Sequence, residues 1–380
     1  MTTIGVLTET APGERRVALV PGDVTAPARG GPAVLVESGA GAAAWYDDDT
    51  YTAAGAQIGT RAQVYEHSDI LLCVNPPDDI GAAHSGQLLA GMLAPRRDPG
   101  LADRLAATGI TALSLDLLPR TLSRAQAMDP LTSQASVAGY KAALVAADAY
   151  GGYLPMLTTA AGTVRPAAVL VLGAGIAGLQ AIATCRRLGA RVSGYDVRPA
   201  ALADIASTGA SVLAVPALTA TGTGGYARPL TADEAGAQRH ALDDAVAGFD
   251  IVITSAQVPY GKPPLLLTAR AVGTLRPGSV VVDVAAGEQG GNVEGSVPGG
   301  TLVTPRGVTV IGAGNLAAQV PRAASDAYSR NLRALLASLL RDTGPALDPD
   351  DGIHAAIVVT RDGAVLYRGP VAAAVPEVTS

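Results

Sequence analysis

Three glycines and an acidic residue form the pattern in this chain best suited to binding a ligand. Gly173, Gly175 and Gly178 follow the apolar run 167–172 and lead into a helical repeat of apolar residues. Asp196 comes after a second apolar run, about twenty residues further on. In such an arrangement the glycines permit a tight turn and a close approach of backbone N–H groups to a pyrophosphate, while the acid accepts hydrogen bonds from a ribose. The pattern therefore predicts a dinucleotide site.

Asp196 and Arg198 bear on which dinucleotide is bound. A carboxylate accepts a hydrogen bond from a 2′-hydroxyl and repels a 2′-phosphate, which favours NAD(H) over NADP(H). Arg198 weakens this preference, because an arginine nearby accommodates a 2′-phosphate.

Two other stretches, 39–44 and 312–317, match the glycine pattern nominally. The first runs into Trp45 and a group of aspartates instead of a helix, and the second has no following strand that ends in an acid. We interpret both as structural turns, because glycine spacing alone is weak support for nucleotide binding.

Length and composition bound the remaining possibilities. The chain has 380 residues, of which 48% are hydrophobic, enough for two domains with separate cores. Cys73 and Cys185 lack any spacing typical of metal or redox sites, so we expect buried thiols in a reducing cytoplasm and no metal.

The charge pattern argues against several classes of partner. The net charge is −6 and no basic tract is present, which disfavours nucleic acid and anionic membranes as direct partners. The alanine-rich run 137–149 is interrupted by Gly139, Lys141 and Asp148, so it is not a candidate for crossing a bilayer. The first ten residues do not resemble a secretory signal.

The alternation of apolar runs with helical patterns predicts an α/β fold of two Rossmann-like doubly wound domains with a cleft between them. We expect the first domain to comprise 1–132 and 320–380, and the nucleotide-binding domain to comprise 133–319. Predicted strands are 4–7, 33–37, 69–75, 110–115, 167–172, 191–195, 211–215, 250–255, 279–284, 308–311, 355–360 and 363–367. Helical patterns cover 86–109 with a break at 95–99, 133–150, 231–247 and 323–340.

Three further segments attract attention. The stretch 119–140 is dense in polar residues and is either a ligand loop or a polar linker, whereas 217–227 is rich in Gly and Thr and predicts a loop carrying Tyr226. The adjacent Arg15 and Arg16 are either a carboxylate site or solvated side chains. The turn 286–292 follows a predicted strand and should lie at the ligand edge of the sheet.

Several of these blocks together resemble one known family over nearly the whole chain. They are PRTLSRAQAMDPLTSQASVAGYKA from position 119, the glycine block RPAAVLVLGAGIAGLQAIATCRRLGARVSGYDVRP, GGYARPLTADE from position 224 and VVDVAAGEQGGNVE from position 281. The chain resembles the NAD(H)-binding component, or alpha subunit, of proton-translocating nicotinamide nucleotide transhydrogenases. It is similar in fold to the related alanine dehydrogenases.

The resemblance implies roles for particular residues. Arg120, Gln126 and Asp129 would be catalytic and, with Thr132, would hold the nicotinamide end and face an NADP(H)-binding partner. One extra residue precedes Arg124, so Arg124 is an alternative to Arg120, and Thr132 replaces the usual serine. Tyr226 would close over the nucleotide. The remaining positions expected to bind the cofactor are Gly173, Gly175, Ile176, Ala177, Gly178, Asp196, Val197, Arg198, Ala256 and Glu288.

The family's reaction is a direct transfer of hydride between two nicotinamide rings. It requires alignment of the rings and exclusion of water, with no nucleophile or general base. The resemblance further implies a homodimer, a membrane-embedded partner subunit, an NADP(H)-binding partner subunit, and a cytoplasmic position at the inner face of the plasma membrane without insertion.

Two other functions remain open. An alanine dehydrogenase shares Arg16, but requires a lysine where this chain has Asn75 and a histidine near the apolar stretch 88–93, which has none. A catalytically silent NAD-binding regulator is the second.

Overall fold

The computed structural model describes residues 2–24, 31–98, 100–213, 215, 220, 228, 230–257, 262–341 and 344–367. Tyr226 and nearly all of the loop predicted at 217–227 lie outside the described residues.

Strands and helices alternate through most of the chain. Strands β1 to β6 are Thr3–Val6, Ala33–Glu37, Gln57–Gly59, Ile70–Leu72, Leu88–Gly91 and Thr111–Ser114, and helices α1 to α4 are Asp48–Ala54, Arg61–His67, Leu101–Ala107 and Pro130–Ala149. Strands β7 to β15 are Leu157–Thr159, Gly162–Val164, Ala168–Leu172, Arg191–Tyr195, Ser211–Val212, Ile251–Thr254, Val280–Asp283, Thr301–Val303 and Thr309–Gly312. Helices α5 to α8 are Ile176–Arg187, Pro199–Ser207, Ala232–Ala245 and Ala269–Thr274. Helices α9 and α10 are Pro321–Leu339 and Gly352–Ile357, and strands β16 to β19 are Leu340–Arg341, Gly344–Pro345, Val358–Arg361 and Ala364–Val365.

Short 3₁₀ helices connect several of these elements. They are Pro21–Asp23, Ala42–Ala44, Ile80–Ala82, Leu115–Leu117, Ser123–Met128, Val246–Gly248 and Ala317–Gln319. Within the described ranges, none of the helices combines the length and the hydropathy needed to cross a bilayer.

The chain divides into two compact units, 1–131 with 321–380, and 132–320. In the first unit the described strands form one sheet whose parallel part has the order β3-β2-β1-β4-β5-β6, extended by antiparallel β18 and β19. This is the doubly wound order in which the direction of winding changes beside the first strand.

The second unit repeats this topology with its own strands. Its described strands have the order β11-β10-β9-β12-β13-β15-β14, parallel except for the antiparallel edge strand β14. The switch point lies between β9 and β12, which are hydrogen-bonded neighbours. The predicted α/β class with two doubly wound sheets is therefore confirmed.

Both sheets are buried by aliphatic side chains on two faces. In the second unit, β9, β12 and β13 are buried at every residue, because each is a run of Val, Ile and Leu with helices on both sides. In the first unit, one face of the sheet packs on apolar residues of α9, and Tyr328 is fully buried there. Each unit thus has its own hydrophobic core.

Two element predictions are wrong. The helical pattern over 86–109 contains the buried strand β5, and only Leu101–Ala107 is helical, because a short apolar run has no periodicity that separates a buried strand from a helix. The strand predicted at 355–360 begins instead as helix α10, whose N-terminal N–H groups are capped by the side chain of Asp351. Strand β11 is also shorter than predicted, and the hairpin β7–β8 was not anticipated.

Candidate functional site

The glycine turn follows β9 at the switch point of the second sheet. Gly173 has φ +94°, a left-handed conformation that glycine adopts without strain, and a Cβ there would lie 2.8 Å from the backbone nitrogen of Ala256. Gly175 is exposed, and a Cβ on it would meet no atom of the described residues within 4 Å. The turn is therefore closed on the protein side at Gly173 and open to a ligand at Gly175.

Gly178 allows helix α5 to pack directly against this turn. A Cβ on Gly178 would lie 1.8 Å from the carbonyl oxygen of Gly173 and 2.9 Å from Oγ of Ser255. Gly139 of α4 has the same function from another side, because its Cβ would lie 2.0 Å from the carbonyl oxygen of Ala177. Sequence reasoning identified Gly178 from its spacing but missed Gly139, which lies in a distant helix.

Helix α5 begins at Ile176, and among the described residues no side chain caps its N-terminus. The first N–H groups of a helix have no partner within the helix, and the helix dipole adds partial positive charge there. Gly175 and Ile176 thus present an electropositive backbone surface that suits a phosphate.

Asp196 follows β10 and connects this strand to the glycine turn. Its Oδ2 accepts a hydrogen bond from the backbone N–H of Ala174 at 2.8 Å, and Arg198 donates to both carboxylate oxygens. Burial alone would raise the pKa of Asp196, but the hydrogen bonds from Arg198 and Ala174 outweigh it and hold the pKa below its ordinary value. Asp196 is therefore an ionised acceptor at neutral pH.

Ala256, which follows β12, is held against the turn by a residue that the sequence did not single out. Asn292 is fully buried and accepts from the backbone N–H of Ala256 at 3.0 Å, while its amide donates to the carbonyl oxygens of Ala256 and Pro264. Asn292 thereby fixes the backbone beside Gly173. Its position at the end of the GEQGGN stretch was the only sequence signal.

Asp283, at the end of β13, is a second buried polar residue missed from the sequence. Its carboxylate accepts hydrogen bonds from the hydroxyls of Thr254 and Ser296 and from the backbone N–H groups of Ala285 and Val293. These contacts fix the turn after β13. Glu288 lies in this turn and is exposed.

The structure thus brings one group of the predicted residues together at the carboxyl ends of β9, β10 and β12. This group comprises Gly173, Gly175, Ile176, Ala177, Gly178, Asp196, Val197, Arg198 and Ala256. Val197 is half-buried and packs on the hydrophobic cluster beneath β9 and β12.

The segment that contains Arg120 is ordered within the first unit. Asp129 is buried and pairs with Nε of Arg120 at 3.0 Å, whereas Arg124 pairs with Asp351 at 3.0 Å. Ala125 and Met128 are buried on one side of the 3₁₀ helix, and Gln126 is exposed on the other. Arg120, not Arg124, is therefore the arginine paired with the acid of this loop. Thr132 lies in the first turn of α4.

Arg16 is neither a free carboxylate site nor a solvated side chain. It is 6% exposed and forms hydrogen bonds through Nε and Nη2 to Glu14 at 2.8 and 2.6 Å. Burial alone would raise the pKa of Glu14, but Arg16 and Asn75 outweigh it and lower the pKa to about 2. Arg15 instead lies 5.4 Å from the ring centroid of Trp45.

Asn75, at the position where a dehydrogenase would need a lysine, donates to two carboxylates. Its Nδ2 lies 2.9 Å from Glu9 and 3.0 Å from Glu14. Burial raises the pKa of Glu9 despite the hydrogen bonds from Val74 and Asn75. This place is thus occupied by a neutral amide between two acids.

The two nominal glycine matches are turns of another kind. A Cβ on Gly41 would lie 2.7 Å from the carbonyl oxygen of Tyr46, and one on Gly312 would lie 2.0 Å from that of Val297. Each is followed by a three-residue 3₁₀ helix, Ala42–Ala44 or Ala317–Gln319, rather than an α-helix. Neither offers the open, helix-initiating backbone found at Gly175.

Comparison with known proteins follows the same division of the chain. The N-terminal domain of the alanine dehydrogenase/PNT family matches residues 5–138, and its C-terminal domain matches residues 142–368. A chain of NAD(P) transhydrogenase subunit alpha from Rhodospirillum rubrum is 39% identical over 378 residues, covering 96% of this chain and 97% of that protein.

A solved structure of transhydrogenase from Sinorhizobium meliloti superimposes with a TM-score of 0.83 at 36% identity, covering 96% of this chain and 99% of the other. Alanine dehydrogenase of Mycobacterium tuberculosis is 33% identical over 309 residues, which is 78% of this chain and 75% of that protein.

Proposed function

The chain belongs to the alanine dehydrogenase/PNT family, and we propose that it is the NAD(H)-binding subunit of a proton-translocating NAD(P) transhydrogenase. In this function it positions NADH for direct hydride transfer to NADP+ bound on a partner subunit. The observation that carries the proposal is the open glycine turn with Asp196 at the switch point, in a chain similar over nearly its whole length to transhydrogenase alpha subunits.

The residues of the second unit fit a dinucleotide. The space over Gly175 and the start of α5 would receive the pyrophosphate, and Asp196 would accept from the adenosine ribose. Asn292 and Asp283 would keep the backbone of Ala256 and the turn containing Glu288 in place. When bound, NADH supplies a hydride from its reduced nicotinamide ring.

The segment 120–132 is proposed to hold the nicotinamide end. The support is its family resemblance and its internal order, in which the Arg120–Asp129 ion pair and two buried apolar side chains leave Gln126 exposed. The proposed catalytic contribution of Arg120, Gln126 and Asp129 is orientation, because hydride transfer between rings needs alignment and not proton transfer. A misplacement of about 1 Å costs about a hundredfold in rate.

We propose further that activity depends on partner subunits: one that binds NADP(H) and one embedded in the membrane that couples hydride transfer to proton translocation. The chain would then be a homodimer at the cytoplasmic face of the plasma membrane, attached through these partners. Loop closure by Tyr226 belongs to the same proposal.

The alternative is an alanine dehydrogenase, favoured by the similarity to that enzyme in the same family. Arg16 is neutralised by Glu14, and Asn75 offers no cationic group to polarise a substrate carbonyl. His84 is exposed with its ring against the carbonyl of Ser85. These observations disfavour oxidation of an amino acid.

A three-part assay tests the proposal. The purified chain is titrated with NADH, then supplied with NADH and an NADP+ analogue, with and without the NADP(H)-binding and membrane subunits from the same organism. We expect NADH binding by the chain alone, and hydride transfer only when the partners are added. Membranes without the chain are the control.

Two results would contradict this function. NADH production from alanine and NAD+ by the chain alone would identify a dehydrogenase. Binding of NADH without hydride transfer, even with both partners present, would identify a regulator.

A further inference from the structure

The carboxylate of Asp196 is already fully engaged. Among the described residues, Oδ1 accepts from the backbone N–H and Nε–H of Arg198, each at 2.9 Å. Oδ2 accepts from the backbone N–H of Ala174 and from Nη2 of Arg198, each at 2.8 Å. A carboxylate offers about four acceptor positions. A ligand hydroxyl therefore gains a place on Asp196 only when one of these donors leaves.

The four donors are not equally able to leave. The backbone N–H of Ala174 belongs to the glycine turn, and that of Arg198 belongs to the residue preceding α6, so both are fixed by the fold. The guanidinium is the end of a long side chain that is 24% exposed, whereas the side chain of Asp196 is 7% exposed. The guanidinium is thus the one partner that can move into solvent.

The guanidinium and a ribose diol offer Asp196 the same arrangement of donors. Nε–H and Nη2–H of Arg198 approach the two carboxylate oxygens side by side, as a fork. The adjacent 2′- and 3′-hydroxyls of an adenosine ribose are likewise two neighbouring donors. Both cannot occupy the carboxylate at once.

We propose that Arg198 occupies the place of the adenosine ribose diol when no nucleotide is bound and competes with NAD(H) for Asp196. This inference rests on the proposed function, since the diol is that of NAD(H). Because the ion pair must open for the ribose to bind, Arg198 weakens NADH binding, and its return to Asp196 favours nucleotide release. Arg198 is therefore an affinity-setting residue whose effect passes through Asp196.

The test compares Arg198→Met with the wild type by titration with NADH. Methionine keeps much of the apolar stem and removes every donor of the guanidinium. We expect the Kd for NADH to fall about three- to tenfold, in keeping with the loss of a partly exposed charged competitor. Arg187→Met, which removes an equally positive but exposed side chain from α5, should leave the Kd unchanged.

A second ligand separates competition from a general effect of charge. An NADH analogue with a 2′,3′-dideoxyadenosine moiety has no diol, so its affinity should be the same for Arg198→Met and the wild type. An equal gain in affinity for NADH and the analogue would overturn the proposal. Unchanged or weaker binding of NADH by Arg198→Met would also overturn it, because Arg198 would then not compete.

Arg198→Lys decides the matter if the methionine variant does not fold. A single ammonium cannot present two parallel donors, so a smaller gain in NADH affinity is expected, and no gain would overturn the proposal. If the wild type itself fails to bind NADH, the proposed function fails with the inference. If the wild type binds and Arg198 has no effect, only the inference fails.

Discussion

At the scale of single residues, the site depends on an acid whose orientation the backbone fixes. Asp196 is tied to the glycine turn by the N–H of Ala174, and its pKa is held below the ordinary value. A ribose hydroxyl would therefore meet an ionised, buried acceptor, which forms stronger hydrogen bonds than a neutral one. The sequence alone placed Asp196 correctly after β10, but not its contact with Ala174.

We expect Asp196→Ala to weaken NADH binding by about 1–3 kcal/mol, because the ribose hydroxyls would lose a charged acceptor. The measurement is titration of NADH fluorescence. Asp204→Ala is the matched control, since Asp204 is exposed on α6 and its loss removes the same charge from the same unit. An unchanged Kd in Asp196→Ala would show that the adenosine ribose lies elsewhere.

At the scale of elements, the strand, turn and helix form one unit because two glycines have different functions. Gly175 has extended backbone with open space beside it, whereas Gly178 lies against the carbonyl of Gly173. Spacing in the sequence predicted both, since the helix must begin at the turn and then cross the strand closely. Packing from α4 at Gly139 could not be predicted, because it joins residues far apart in the chain.

Two alanine substitutions separate binding from folding in this element. Gly178→Ala should destabilise the protein by about 2 kcal/mol or more, because the new methyl group overlaps the Gly173 carbonyl. Gly175→Ala should leave the melting temperature nearly unchanged and weaken NADH binding roughly tenfold or more, because the methyl group fills the space left for the pyrophosphate. Differential scanning fluorimetry and NADH titration measure the two effects.

Gly236→Ala is the control, as it lies in α7 where a Cβ has room. It should change neither property appreciably. Equal loss of stability in Gly175→Ala and Gly178→Ala would contradict the assignment of separate functions.

At the scale of the whole molecule, acid stability draws on the buried ion pair of the first unit. Glu14 and Arg16 are both nearly inaccessible to solvent, and the pKa of Glu14 falls from 4.5 to about 2 on folding. A carboxyl whose pKa is lowered by folding stabilises the native state above its unfolded pKa. That contribution is complete above about pH 4.5 and is lost as the pH falls toward 2.

Glu14→Gln should lower the free energy of unfolding by about 3 kcal/mol at pH 7, because it leaves Arg16 buried without its charged partner. The difference from the wild type should shrink as the pH is lowered from 4.5 toward 2. Urea denaturation at a series of pH values measures this. Glu66→Gln, at an exposed glutamate, should differ from the wild type by less than about 0.5 kcal/mol at every pH.

The sequence by itself determined the features that depend on neighbours along the chain. Apolar runs gave most strands of both sheets, and local spacing located the glycine turn and Asp196. These signals are local, because a turn and the strand and helix beside it are specified by consecutive residues. The buried strand β5 was missed because its four residues carry no periodicity of their own.

Only the tertiary structure decided which side chains meet across the fold. It pairs Arg16 with Glu14 and Asn75 with the same acid, sets Asn292 beneath Ala256, and places the Arg198 guanidinium on Asp196. Each of these contacts depends on where a side chain points once the sheets are packed. The physical reason is that burial forces polar groups to find partners, and that choice is made in three dimensions among groups whose distance along the chain does not specify it.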